Sequence, residues 1–295
     1  MKVLLNLRRL AIDQLHEPID FGDVDEKLLP IGVFDSGLGG LTVVKQLLLH
    51  LPNESIIYFG DTARLPYGTK SILTVRKFSL QIARFLQDQG VKIIVVACNT
   101  ASSLALNVIK ENIAVPVLGV IGPGVSAALR VSKSKSIGVI GTTATILSGA
   151  YKKALQKLDP AVNVNSVACP LFVPLVEEGW ERSDVTELIA RKYLDPIINT
   201  EIDTLILGCT HYPILKDVLH KVVDNRVIII DSSIETARQV RYILQSEKIQ
   251  RPKRSKPAHK FYVSDRPQRF EEIAERFLGE PLPNVKQISL DDYRK

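Results

Sequence analysis

Cysteine is scarce in this chain: three residues, at 98, 169 and 209, with no C-x-x-C pair and no even set. That excludes a disulfide-stapled fold and points to a reducing compartment, where each thiol is either buried or reactive. Long apolar runs are missing too. None approaches the roughly 18 residues that mark a membrane-spanning helix. The opening stretch MKVLLNLRRLAIDQL is interrupted by Arg8, Arg9 and Asp13 and has no small-residue cleavage site, so no signal peptide is expected. No G-K-[ST] follows the glycine-rich turns, which excludes a P-loop. A cytoplasmic protein with no membrane partner is the expectation.

What is present suits a folded protein: 295 residues, enough for two ordinary domains, at 45% hydrophobic and 24% charged. The net charge of +6 is mostly dispersed, and the one dense basic cluster is RPKRSKPAHK at 251–260. No aromatic stacking motif accompanies it, so it reads as a solvated loop, and no nucleic-acid partner is expected.

Residues 1–30 precede the first clear strand. Leu4, Leu7, Ala11 and Leu15 share a helical face, and DFGDVDEK reads as a linker after it. From there, short apolar runs alternate with helical patterns. IGVF (31–34), SIIYFG (55–60), VKIIVVA (91–97) and VPVLGVI (115–121) are followed by IGVIGTTATI (137–146), VNVNSVA (162–168), DTLILG (203–208) and RVIIIDSS (226–233). Ser71 and Ser183 open helices, and Gly90 closes one. Nearly continuous apolar strands imply burial on both faces and hence mostly parallel sheets, an α/β fold. The glycine-turn strands (31 and 137) and two of the cysteines (98 and 209) recur at about 106 and about 111 residues, which suggests two related halves. The tail FYVSD with RFEEIAERFL is expected to return to the first half. That gives an extension at 1–30, a first domain of 31–123 plus 231–295, and a second of 124–230.

Ligands of open parallel sheets bind beyond the carboxyl ends of the strands. Cys98 and Cys209 both stand there, each followed by Thr within two residues and by helix-starting residues, where partial positive charge favours a thiolate. His211 is placed to assist the second thiol. Cys169, in VACPLFVP, lacks these neighbours and reads as core. Asp35 and Ser36 suit either a helix cap or a ligand contact. Glu177 and Glu178 suit a helix end or a cleft carboxylate. DSGLGGLT with Asp61 keeps a dinucleotide-binding regulator open, although Thr42 replaces the third glycine. No spacing supports a zinc site at His211.

Four segments in order, IGVFDSGLGGLTV, YFGDTARLPYG, VVACNTASS and LGCTHYP, resemble the glutamate racemases of the aspartate/glutamate racemase superfamily. The resemblance runs from about Ile31 to the C-terminal helix. It implies two α/β domains around a cleft, no pyridoxal phosphate or other cofactor, and no metal. It makes Cys98 and Cys209 the two acid/base residues and puts Asp35, Ser36, Tyr67, Gly68, Asn99, Thr100, Thr210 and His211 at substrate-contacting positions. Asp35 and His211 also assist catalysis, as does a second-domain glutamate. Glu177 or Glu178 matches that glutamate; the spacing does not choose, and Glu178 is the one expected. Related aspartate racemases usually have an acidic residue after the second Cys-Thr; His211 stands there, which favours glutamate. A homodimer and a supply of D-glutamate for cell-wall peptidoglycan are further implications.

Overall fold

Runs of Val, Ile and Leu become strands because helices cover both faces of each sheet and leave no solvated side to pattern. The computed structural model describes residues 25–291 apart from Asp224 and Pro283, so the helix expected around Leu4 to Leu15 lies outside the described residues. The first half runs β1 (Ile31–Asp35), α1 (Leu41–His50), β2 (Ile56–Gly60), α2 (Ile72–Asp88), β3 (Ile93–Val96), α3 (Asn99–Leu104), α4 (Leu106–Asn112) and β4 (Val117–Gly119). The second runs α5 (Ile121–Val131), β5 (Ser136–Gly141), α6 (Thr143–Leu147), α7 (Ala150–Leu158), β6 (Asn163–Ala168) and α8 (Phe172–Glu177). It continues through α9 (Asp184–Ile198), β7 (Thr204–Gly208), α10 (Lys216–Val222) and β8 (Ile228–Asp231). The chain ends with α11 (Ser232–Ser246), β9 (His259–Val263), α12 (Pro267–Leu278) and β10 (Lys286–Gln287).

Two sheets result, in the orders β10-β9-β2-β1-β3-β4 and β6-β5-β7-β8, and every ladder in them is parallel. Numbered within its own half, each reads 2-1-3-4, so the halves share one topology. The closing strands β9 and β10 extend the first sheet beyond β2. In both halves the first and third strands lie side by side at the centre. Cys98 follows β3 and Cys209 follows β7, so each cysteine leaves its sheet from a central strand.

Local signals act as their chemistry requires. Ser71 Oγ accepts from the Thr74 amide at the start of α2, and Ser183 Oγ does the same for Thr186 at α9. Gly90, at φ +69°, ends α2 in the left-handed region. Two strands are shorter than their apolar runs. VPVLGVI yields only β4 because Ile121 already begins α5, and RVIIIDSS stops at Asp231, whose carboxylate caps α11 through the Ser233 amide. At a sheet edge, β6 is half-exposed, which accounts for its Asn163, Asn165 and Ser166.

Beneath the first sheet, Lys92 and Glu54 form a buried ion pair at 2.6 Å. The Lys92 ammonium also donates to the carbonyls of Lys27 and Ile249, and the Arg251 amide donates to Glu54. This ties the lead-in to β1 and the segment after α11 to one floor. One hydrophobic core spans both halves, joining Val33, Leu41 and Tyr58 to Leu207, Tyr212, Phe270 and Phe277. Separate clusters back the far face of each sheet.

Candidate active site

Both glycine-rich and cysteine-bearing loops meet at the carboxyl ends of the central strands. Asp35, the last residue of β1, is fully buried. Its carboxylate accepts from the Gly37 amide at 2.9 Å and from the Thr210 hydroxyl, across the cleft, at 3.4 Å. Burial raises its pKa; the His211 charge and the amides of Gly37, Gly40 and Ser36 pull the other way. The turn after it has no room for side chains. A Cβ on Gly39 would stand 2.2 Å from Thr210 Oγ1 and 2.5 Å from His211 Nδ1. One on Gly40 would meet the Asp35 Cβ at 2.5 Å. These glycines therefore let the two strand-end loops touch, and Thr42 Oγ1 reinforces the contact by donating to the Thr210 carbonyl at 3.0 Å. The dinucleotide reading fails on the same geometry. Asp61 is buried and engaged by Arg64, Tyr67 and Ser264, so it offers nothing to a ribose.

Cys98 is the N-cap of α3, with its sulfur 3.5 Å from the Ala101 amide and 3.5 Å from Ser36 Oγ. The helix-terminus expectation holds, but it does not decide the protonation. Burial and the neighbouring Asp35 charge push the Cys98 thiol up to about 12, against the smaller help of Ser36 and Ala101. A charge on Cys209 also bears on Cys98, so the two sulfurs share one electrostatic environment.

Cys209 has different company. No α-helix starts beside it; the Tyr212–Leu215 segment is a 3-10 turn with Pro213 near its start. His211 takes over, with Nδ1 3.9 Å from the Cys209 sulfur and Nε2 3.0 Å from a Glu177 carboxylate oxygen. Burial works against the imidazolium, but hydrogen bonds and charge from Cys209 and Glu177 outweigh it and raise His211 to about 10. Phe277 of α12 holds the ring edge-on. Of the two glutamates it is Glu177 that reaches His211, so the expectation that Glu178 faces the cleft is corrected. Glu178 is the residue after α8, its side chain is 64% exposed, and it pairs with Arg269 at 3.3 Å. Successive residues at a helix end point about a quarter-turn apart, so only one can face the cleft.

The remaining expected residues gather here. Thr100 Oγ1 lies 2.9 Å from Thr142, which follows β5 and caps α6, and 3.2 Å from Thr145 in α6 itself. A Cβ on Gly68 would meet the Thr142 Cβ at 2.9 Å. Tyr67 is buried, with its hydroxyl given to Asp61. Asn99 is buried and joined to Tyr151 of the second half. Cys169 is fully buried core, as expected, and burial holds its thiol well above the ordinary range. Sequence reasoning did not name Thr142, Thr145, Tyr151 or Ser232, and met Thr42 only as the residue in place of a third glycine. For the first two a signal existed: the β5 turn is the counterpart of the Asp35–Ser36 turn in the repeated topology.

A cavity of about 10 Å³ lies between the halves, lined by Thr42, Asn99, Cys209, Thr210, Asp231 and Ser232 among others. A larger one of about 430 Å³, bordered by Arg64, Lys77, Phe78 and Ser264, includes neither cysteine in its wall. Among the described residues no helix is long and apolar enough to cross a membrane.

Comparison with known proteins agrees with this architecture. Residues 38–240 match the model of the family described as Asp/Glu/Hydantoin racemase. A glutamate racemase of Geobacter metallireducens is 50% identical over 261 residues, covering 88% of this chain and 97% of that protein. One from Syntrophus aciditrophicus is 48% identical over 264 residues, covering 90% and 98%. The crystal structure of glutamate racemase from Francisella tularensis in complex with D-glutamate superposes with a TM-score of 0.86 at 46% identity, covering 90% of this chain and all of that one. By sequence, fold and the meeting of its two halves, the chain belongs to the Asp/Glu/hydantoin racemase family.

Proposed function

We propose that this chain interconverts L- and D-glutamate by proton transfer at the α-carbon, with Cys98 and Cys209 acting from opposite faces. The observation that carries the reading is the pair of thiols at matched strand ends of two halves with one topology, each with its own partners. The His211 imidazolium is the counter-charge for a sulfur anion at Cys209, and Cys98, beside Asp35, holds its proton. In one direction the Cys209 sulfur removes the α-proton, and the planar carbanion takes a proton from Cys98 on its other face. The product leaves Cys209 as thiol and Cys98 as thiolate, ready for the reverse reaction. Asn99, Thr100 and Thr210 supply donors for the substrate carboxylates and for developing negative charge, while Asp35 suits the ammonium. Ser36, Tyr67 and Gly68 complete the wall. These side chains suffice for the chemistry as written, so the reading includes no cofactor.

The cavity lined by Asn99, Cys209 and Thr210 is far smaller than glutamate, and in this reading the halves part to admit it. We assign residues 31–123 with 231–295 to one moving body and 124–230 to the other, a division supported by the membership of the two sheets. A cytoplasmic homodimer that supplies D-glutamate for peptidoglycan completes the proposal. Purified protein mixed with pure L-glutamate, without added pyridoxal phosphate or metal, is expected to lose optical rotation to zero. Retained rotation, or faster racemisation of aspartate, overturns the assignment.

A further inference from the structure

We infer that Tyr151 is a positioning residue: it orients the Asn99 carboxamide so that its NH2 edge faces the substrate, and it ties the Cys98 loop to the strand bearing Cys209. The inference rests on the reading above that Asn99 contacts the substrate.

Tyr151 lies on α7, in the half opposite Asn99, and is buried. Its hydroxyl stands 2.6 Å from the Asn99 side-chain oxygen. That separation suits O–H···O, whose range begins near 2.5 Å, and is short for N–H···O, which begins at about 2.7 Å. The atom facing the phenol is therefore the amide oxygen. The Asn99 NH2 group has no protein hydrogen-bond partner among the described residues, and Asn99 lines the small space between the halves. A carboxylate only accepts hydrogen bonds, so an amide turned the other way would set oxygen against oxygen. Burial raises the phenol's pKa well above its ordinary value, and Tyr151 remains a donor across the working pH range.

The chain of contacts continues past Asn99. Ser232 Oγ, at the start of α11, lies in contact with the Tyr151 hydroxyl at 3.4 Å and donates its one proton to the Leu207 carbonyl at 3.2 Å. Asn99 is one residue after Cys98, and Leu207 is two before Cys209, so this run of contacts spans both sulfur-bearing loops. Two glycines make room for it. A Cβ on Gly208 would meet the Ile140 carbonyl oxygen at 2.7 Å and the Tyr151 ring at 3.1 Å, and one on Gly124 would meet Ser232 Oγ at 2.9 Å. The small residue before Cys209 thus has a physical reason: the Ile140 carbonyl of the neighbouring strand and the phenol ring both crowd it.

The test is steady-state kinetics in both directions on Tyr151→Phe, Asn99→Ala and the double variant, with thermal midpoints measured beside them. Tyr151→Phe is expected to raise KM about 3- to 10-fold, the range for one net hydrogen bond, with a smaller change in kcat. In the Asn99→Ala background it is expected to add less than about 2-fold, because the amide it orients is gone. Additive losses, or a lowered thermal midpoint with KM unchanged, overturn the inference. Asn99→Asp keeps an acceptor for Tyr151 but places a second where the NH2 group was, so it should bind substrate more weakly than Asn99→Ala. Equal or tighter binding contradicts the assigned orientation even if Tyr151→Phe fails to fold. Asn99→Ala with an unaltered KM would instead overturn the reading of Asn99 as a substrate contact, and the inference with it.

Discussion

Cys98 and Cys209 leave equivalent strands of two sheets with one topology, yet their surroundings carry opposite charge. Around Cys98 stand Asp35 and Ser36, and the thiol rises to about 12. Around Cys209 stands a His211 that Glu177 and the sulfur itself hold protonated up to about 10. The shared topology puts both sulfurs at equivalent strand ends, and the side chains around them are not equivalent. One topology used twice thus carries two different local environments.

Breaking either side of the comparison should have the largest effect. Cys98→Ala and Cys209→Ala are each expected to lower racemisation by about 10²- to 10⁴-fold, the usual contribution of a positioned acid or base, when followed by chiral chromatography. A variant that keeps full activity would leave one sulfur without a role. Next comes the contact between the halves. Gly39→Ala forces a methyl group against Thr210 and His211, and displacing that loop by about 1 Å should cost about 10²-fold in kcat/KM. Gly122→Ala, with nothing within 4 Å of the new methyl, is the control and should be active.

The third prediction sharpens the correction at the helix end. Glu177→Gln removes a charged hydrogen bond to His211 and should cost about 10-fold or more in kcat/KM, whereas Glu178→Gln, which loses only an exposed pair with Arg269, should stay near wild type. The reverse pattern would return the role to Glu178. The smallest effect concerns pH. His211 has a pKa raised from 6.5 to about 10 in the folded protein, so its charged contacts stabilise fully below about pH 6.5 and are lost as pH rises through about 10. Denaturant titrations of wild type and His211→Asn should therefore differ most at neutral and acidic pH and converge above about pH 10. A gap that widens with alkalinity would contradict the sign.

Much of this was legible in the residues alone. Apolar runs gave the strands, Ser71 and Ser183 the helix starts, and the recurrence of the glycine turn and Cys-Thr pattern the two halves. Both cysteines, Asp35 and His211 could be named because they sit at strand ends, where local sequence and fold class agree. Choosing between Glu177 and Glu178 was beyond it, since adjacent residues differ only in the direction they leave the helix. Tyr151 carries no local signal at all. Its hydroxyl matters through contacts made 52 and 81 positions away, across the cleft, and only the packed halves bring them together.

The central claim, two sulfurs working from opposite faces of one carbon, is tested most directly by racemisation of L-glutamate in deuterated water, stopped at low conversion. The account predicts D-glutamate carrying deuterium at the α-carbon while the unreacted L-glutamate keeps its hydrogen. Deuterium appearing equally in both pools from the start would mean that a single base serves both faces, and would contradict it.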